Sequence, residues 1–532
     1  MDYGQELFLL TVTALLLIIH SPTTSPVFAT GYVLCRVVWF VVIWPHVLSP
    51  LRSMPGPDSN LLFGFGPFAE AWLCDGNRQL QWHRKYGSFV KFRTIMGLER
   101  VSVTDPKAIA TILNNPDTFP KPSYFQKTLI RIIGNSVIAL EGDEHKRQRR
   151  VLLPVFALSN LKQVVPNFAK SCEALVEYWD KELDVRGDRA AVNVTEPINR
   201  TMLDMIGLAG FGFEFNTLHN SDHPLAKSYH TLIFATGINK LFDGMSAISW
   251  PLQYWPFGRF AAVTKAKRVI VDESMKLIDK RREEMNQNEK DSYEGERRDL
   301  LSCMLRKQMQ AKPGEEVIED DDMVQMIMTF LAAGHETLAT TVLWTLHALS
   351  IHSDVQSRLR TELSHLDEIT YDSLESCRYL NNFVREVIRF WPPASVTMRV
   401  AREHSRLGDY VVPKDTIIQI APAVVNKLEE YWGGDAEIFD PDRWDALPEG
   451  VGAYNMLTFL EGPRKCIGWK FAMLELKAFL AVFLRRFEVE SIGRDVGNET
   501  CITTKPAGGL TVRMRRVKEG EMGGDGDSGV EA

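Results

Sequence analysis

Paired cysteine is missing from this chain. Its seven cysteines (Cys35, Cys74, Cys172, Cys303, Cys377, Cys466 and Cys501) are odd in number, scattered over 532 residues and never spaced as CxxC. Neither a disulfide framework nor a zinc ribbon fits that pattern, and a reducing compartment is the better setting. An excess of positive charge is missing too. The formal net charge is -7, without the basic footprint of a nucleic-acid-binding protein. No repeat is visible, and no linker divides residues 60–515. Asp2 and Glu6, rather than lysine or arginine, precede the first apolar run, which argues against a cleaved secretory signal.

What is present is ordinary in bulk, with 45% hydrophobic and 24% charged residues, enough for a large core. The N-terminus carries two apolar runs. "LFLLTVTALLLII" (7–19) is short for a bilayer, whereas "VFATGYVLCRVVWFVVIWPHVL" (27–48) is long enough, provided Arg36 snorkels or faces protein. Residues 1–50 are therefore expected to form a membrane anchor of one or two passes. Pro55 and Pro57 make 51–60 a stiff hinge. Residues 61–515 read as one large, mainly α domain with a small β region. Strands are expected around a Met96–Gly97 turn and as a hairpin over 409–420. The tail 516–532 has little to bury and is expected to be disordered.

One cysteine has special neighbours. In "FLEGPRKCIG" (459–468) Cys466 follows Arg464 and Lys465 and precedes a helix that begins near Gly468. Nearby cations and a helix N-terminus lower a thiol pKa and favour the thiolate. Gly462 permits a tight turn, Gly468 a close backbone approach, and Phe459 can shield the sulfur. Upstream, "DDDMVQMIMTFLAAGHETLATTVLWTLHALS" (320–350) is a long helix opened by aspartates. At its centre Ala333 and Gly334 are small enough for a ligand to lie against the backbone. Thr337 can bond a carbonyl one turn back and open a local kink. Glu386 and Arg389 stand three apart in "REVIRFWPP", and His145 and Arg149 four apart in "GDEHKRQRR", so each pair shares a helical face.

Phe459, Gly462, Arg464, Cys466 and Gly468 resemble the FxxGxRxCxG haem loop of the cytochrome P450 family, and "AAGHET" resembles that family's oxygen-binding motif. The resemblance implies a cytochrome P450 fold, haem b as cofactor and Cys466 as axial ligand to its iron. It implies that Thr337 holds dioxygen and relays protons, with Glu336 linking the relay to solvent; Leu338 stands where a second hydroxyl is common. Glu386, Arg389 and, in "FDPDRW", Arg443 resemble the buried structural triad, with Trp444 replacing phenylalanine. His145, Arg149, Arg399 and Arg464 match propionate-binding positions. Lys146, Arg147 and Arg150 would turn outward and, with Lys465 and Lys470, form a basic patch for an acidic reductase.

The activity implied is a monooxygenase that inserts one atom of O2 into a lipophilic substrate, with electrons from NADPH through a separate NADPH-cytochrome P450 reductase. The chain has no evident flavin domain of its own. An O2-independent isomerase or dehydratase is the alternative, against which Glu336 and Thr337 argue. The resemblance to microsomal fungal members implies the endoplasmic reticulum membrane, with the catalytic domain facing the cytosol. It makes a terpenoid the first expectation for substrate and a fatty acid or polyketide the second. The pocket is expected from 123–138, 234–245, Met326 to Ala333, 394–398 and 503–508, all chiefly apolar. "ISWPLQYWPFGRF" (248–260) is a further candidate for contact with the membrane interface.

Overall fold

The computed structural model describes residues 30–32, 34–35, 38–58, 76–94, 98–220, 222–233, 258–288, 299–312, 318–500 and 503–518. The apolar run 7–19, the pocket stretch 234–245, residues 248–257 and the tail from 519 lie outside them. Six helices position the site: α1 (Gly142–Leu152), α2 (Leu158–Arg186), α3 (Thr195–Phe211), α4 (Asp320–Ile351), α5 (Arg378–Phe390) and α6 (Trp469–Arg486).

Helix α4 runs through the core. Among the described residues it alone is long and apolar enough to cross a bilayer, yet 78% of its apolar window is buried in the fold. Its three leading aspartates sit at the positive end of the helix dipole. Two of them also find cations, Asp320 with Arg282 at 2.7 Å and Asp322 with Arg147 at 2.9 Å. Helix α3 packs along α4, and α6 along α2, where Phe168 and Phe471 meet edge to face at 4.9 Å. Such ring contacts add to the area they bury.

Among the described residues the β region comprises eleven short strands. They are β1 (Phe89–Arg93), β2 (Glu99–Val103), β3 (Ala190–Asn193), β4 (Thr397–Val400), β5 (Ser405–Leu407), β6 (Tyr410–Val412), β7 (Ile417–Ile420), β8 (Phe487–Ser491), β9 (Asn498–Thr500), β10 (Thr504–Pro506) and β11 (Thr511–Arg516). The strands expected on either side of Met96–Gly97 pair antiparallel as β1 and β2. The expected 409–420 hairpin does not form. Instead β6 closes on β5 across Gly408, whose φ is 57°, and β7 inserts between β2 and β4. Pro413 has no N–H to extend β6, and Asp415, at φ 66°, turns the chain away. At the C-terminal edge β11 runs to Arg516, which bonds Asp180 and Asp184 at 2.7 and 2.6 Å. The domain therefore takes in residue 516, which the sequence reading assigned to the tail.

The expected hinge is partly core. Leu51 and Met54 are buried in the cluster that contains Val101, Leu407 and Val412. Ser49 Oγ donates to Glu99 Oε2 at 2.6 Å. The residues leading out of 1–50 are thus pinned to the β1–β2 sheet.

Glu386, Arg389 and Arg443 come together as expected and are all buried. Arg389 forks onto Glu386 at 2.8 and 2.7 Å and donates to the carbonyls of Asn426 and Ala436. Arg443 Nε lies 3.6 Å from Glu386 and its Nη1 bonds Asp435. Trp444 proves more than an aromatic replacement, because its Nε1–H donates to Glu386 Oε2 at 3.0 Å. Phenylalanine has no such donor. Trp444→Phe should accordingly cost about 1.5 kcal/mol, the lower end for a hydrogen bond to a charged group, read as a lower urea midpoint at unchanged slope.

Candidate active site

The cysteine loop is built by its backbone. Pro463 opens a short 3-10 turn, Gly462–Arg464, and the N–H of Cys466 donates to Phe459 O at 2.8 Å. Leu460 and Gly462 both adopt positive φ, 55° and 75°. A side chain at Gly462 would also come within 2.7 Å of Asn114 Oδ1 and 3.0 Å of the Leu113 carbonyl, so glycine is required there twice over. Helix α6 then starts with Gly468 as its N-cap. Phe459 is half-buried.

The side chain of Cys466 is accessible, although protein surrounds its loop. Burial pushes its thiol up, while the Gly468 N–H and the charges of Arg149 and Lys465 pull it down. The net direction is upward, contrary to the lowering expected from the flanking cations. Desolvation of a thiolate outweighs two cations that are not in contact with it.

Around this loop the fold gathers basic side chains. His145 is buried on α1, and its pKa falls to about 3, through burial first and then the charges of Arg464, Lys121, Arg149 and Lys146. Arg149, half-buried on the same face, makes no hydrogen bond or ion pair among the described residues, and it feels the charge of Cys466. Arg464 donates to Leu140 O at 2.7 Å and pairs with Glu141, while its buried Nε has no partner. Arg399 is turned onto its own strand, bonding Thr397 Oγ1 and Met398 O. Burial lowers it to about 10. Arg149, Arg399 and Arg464 gather as expected, and His145 joins them as a neutral ring.

Two members were missed. Lys121 bonds Glu141 Oε1 at 2.9 Å and is lowered to about 8 by burial and then by Arg464. A lysine held between Pro120 and Pro122 was the available signal. Glu141, just before α1, had none. Four cations and the His145 ring gathered around the carboxylate of Glu141, with Arg149 partnerless among the described residues and an orphaned Arg464 Nε, suit a flat ligand carrying two carboxylates. A reachable cysteine sulfur lies beside them. The donor set fits haem.

The outward face of α1 differs from expectation. Lys146 pairs with Asp143 and Asp117 at 3.1 and 3.5 Å, and Arg147 with Glu144 and Asp322 at 3.1 and 2.9 Å. The stripe is largely neutralised by acids from its own helix and from distant segments, so it is not the free basic patch that helical spacing implied.

On α4, Thr337 Oγ1 donates to Ala333 O at 2.7 Å. Thr341 and Thr345 repeat the bond at 2.8 Å to Thr337 O and Thr341 O, and the helix continues unbroken through all three. The back-bond expected of Thr337 is thus present, within a helix that is not interrupted. Gly334 also has a different task. A Cβ there would stand 3.0 Å from Ile206 of α3, so its smallness admits a neighbouring helix. Glu336 is buried and accepts from Thr503 Oγ1 at 2.7 Å. The two sides of the site are linked through Phe156, whose ring lies 5.5 Å from Phe330 of α4 and 6.5 Å from Phe471 of α6.

Comparison with known proteins agrees with this geometry. The family model described as Cytochrome P450 matches residues 54–511. Cytochrome P450 monooxygenase 205 of Postia placenta is 30% identical over 85% of this chain and 89% of its own. Cytochrome P450 monooxygenase sphH of Aspergillus fumigatus is 32% identical over 93% and 94%. Cytochrome P450 monooxygenase ptmK of Penicillium ochrochloron is 30% identical over 92% and 99%.

Proposed function

The chain belongs to the cytochrome P450 family, and we propose that it is an anchored enzyme of the endoplasmic reticulum that oxygenates a terpenoid. That it is a haem b monooxygenase follows from the family model and its relatives. The finer reading is that its catalytic domain faces the cytosol and takes electrons from NADPH through a separate cytochrome P450 reductase. Exposed Tyr32, Leu34, Val38, Trp39, Val47 and Leu48 ahead of the pinned exit support the anchor. Apolar surface of that kind, with aromatic residues in it, suits a bilayer and its interface. The apolar stretches 123–138 and Met326 to Ala333 support a lipophilic substrate.

Haem b, when bound, supplies the redox centre at which dioxygen is activated. Cys466 would ligate its iron through sulfur. Arg464, His145, Arg149, Arg399 and Lys121 would hold its propionates. Phe459 would keep water from the sulfur, and Gly468 would let the backbone come close. On the distal side, Thr337 Oγ1 would hold and pass a proton, exchanged with the carboxylate of Glu336. The single observation that carries the monooxygenase mechanism is this buried acid next in sequence to a hydroxyl on α4. A rearrangement without O2 has no use for it.

The test is reconstitution with reductase and NADPH under isotopically labelled O2, against a panel of terpenes, fatty acids and polyketides. One labelled oxygen in a terpene product is expected. Turnover confined to fatty acids or polyketides would contradict the substrate assignment. In the same assay Thr337→Ala should divert most reduced oxygen into peroxide while leaving the reduced carbon monoxide spectrum intact. Undiminished product per NADPH would make Thr337 a packing residue.

A further inference from the structure

Glu336, Thr340 and Trp344 are spaced four apart on α4 and therefore form one stripe of the helix. All three are bonded to the same short segment near the C-terminus. Thr503 Oγ1 donates to Glu336 Oε1 at 2.7 Å and lies 3.0 Å from Thr340 Oγ1. Trp344 Nε1 donates to Thr504 O at 2.8 Å. The segment is tied on its other side as well. Thr504 N donates to Pro393 O, and Thr504 Oγ1 to Ser395 Oγ, both at 3.0 Å. Glu336, Thr340 and Thr503 are at most 3% exposed.

A hydroxyl has one hydrogen to give. Thr503 gives its hydrogen to Glu336, so Thr340 must be the donor to Thr503. The order is Thr340 to Thr503 to Glu336, and the carboxylate ends the chain as an acceptor. Among the described residues Thr340 Oγ1 has no further partner, so the chain of hydroxyls starts there. Its bonds hold the acid in place.

We propose that Thr503, backed by Thr340, is the positioning residue for Glu336, fixing the direction of its carboxylate on the helix turn that also carries Thr337. Glu336 thereby takes one direction in a buried site where few other donors reach it. The inference rests on reading Glu336 and Thr337 as the proton-handling pair, and it names the part of the chain that sets their geometry.

Thr503→Val removes the hydroxyl at nearly constant shape. In the haem-loaded enzyme with reductase, peroxide formed per product should rise about ten-fold, what losing one hydrogen bond to a charged group amounts to. Haem content and the carbon monoxide spectrum should not change. Thr503→Ser should restore most of the coupling. Added to Glu336→Gln, Thr503→Val should have no further effect. An independent reading is the infrared carboxylate band lost in Glu336→Gln, which should shift in Thr503→Val and return in Thr503→Ser. Failure of serine to rescue, equal uncoupling in the Glu336→Gln background, or an unmoved band would each overturn the proposal. If Glu336→Gln and Thr337→Ala themselves leave coupling intact, the proton-handling reading fails; the infrared band then still decides whether Thr503 positions Glu336.

Discussion

Arg389→Ala should leave little folded protein to load with haem. The guanidinium is wholly buried and forks onto Glu386, itself wholly buried, while two backbone carbonyls from the segment after β7, those of Asn426 and Ala436, depend on Nη1. Alanine would leave the Glu386 carboxylate with the Asp440 N–H, the Trp444 indole and a more distant Arg443. Breaking one side of a buried pair costs about 3–5 kcal/mol. That is a large share of the roughly 5–15 kcal/mol by which a native protein is stable. Soluble yield and urea unfolding provide the readout, with Glu386→Gln as a milder partner that keeps a neutral acceptor in place. An Arg389→Ala protein with the unfolding midpoint of the parent would show that the buried fork is not what holds this region.

Cys466→Ala should have the opposite profile, a folded protein that neither retains haem nor turns over. The loop takes its shape from positive φ at Leu460 and Gly462 and from the Cys466 N–H on Phe459 O, all of which alanine keeps. Little packing is lost, because the side chain is accessible. The sulfur is what disappears, and with it the group that would ligate the iron. Far-ultraviolet circular dichroism should match the parent while haem content after purification falls severely. Haem retained at parental stoichiometry with an unchanged spectrum would remove Cys466 from the site.

Much of this was legible because it is local. The loop at Phe459–Gly468, the aspartate-opened helix α4 and the Glu386–Arg389 pair each declare themselves within a dozen residues, through turn glycines, helical spacing and charge. What escaped depends on partners far along the chain. Gly334 is small for Ile206, more than a hundred positions away, and Glu336 is held by a threonine beyond the cysteine loop. Helical spacing turned Lys146 and Arg147 outward correctly, but it could not reveal Asp117 and Asp322 waiting for them. Strand pairing failed for a similar reason. Residues 409–420 have the alternation and turn residues of a hairpin, yet β7 finds β2 and β4, and only tertiary competition decides that choice.

The measurement closest to the central claim is the absorption spectrum of the reduced, haem-loaded protein under carbon monoxide. With Cys466 bound to iron as thiolate, the Soret band should move to the long-wavelength position that a sulfur ligand produces and should disappear in Cys466→Ala. A band at the shorter wavelength typical of a nitrogen ligand, in freshly prepared and active protein, would contradict it.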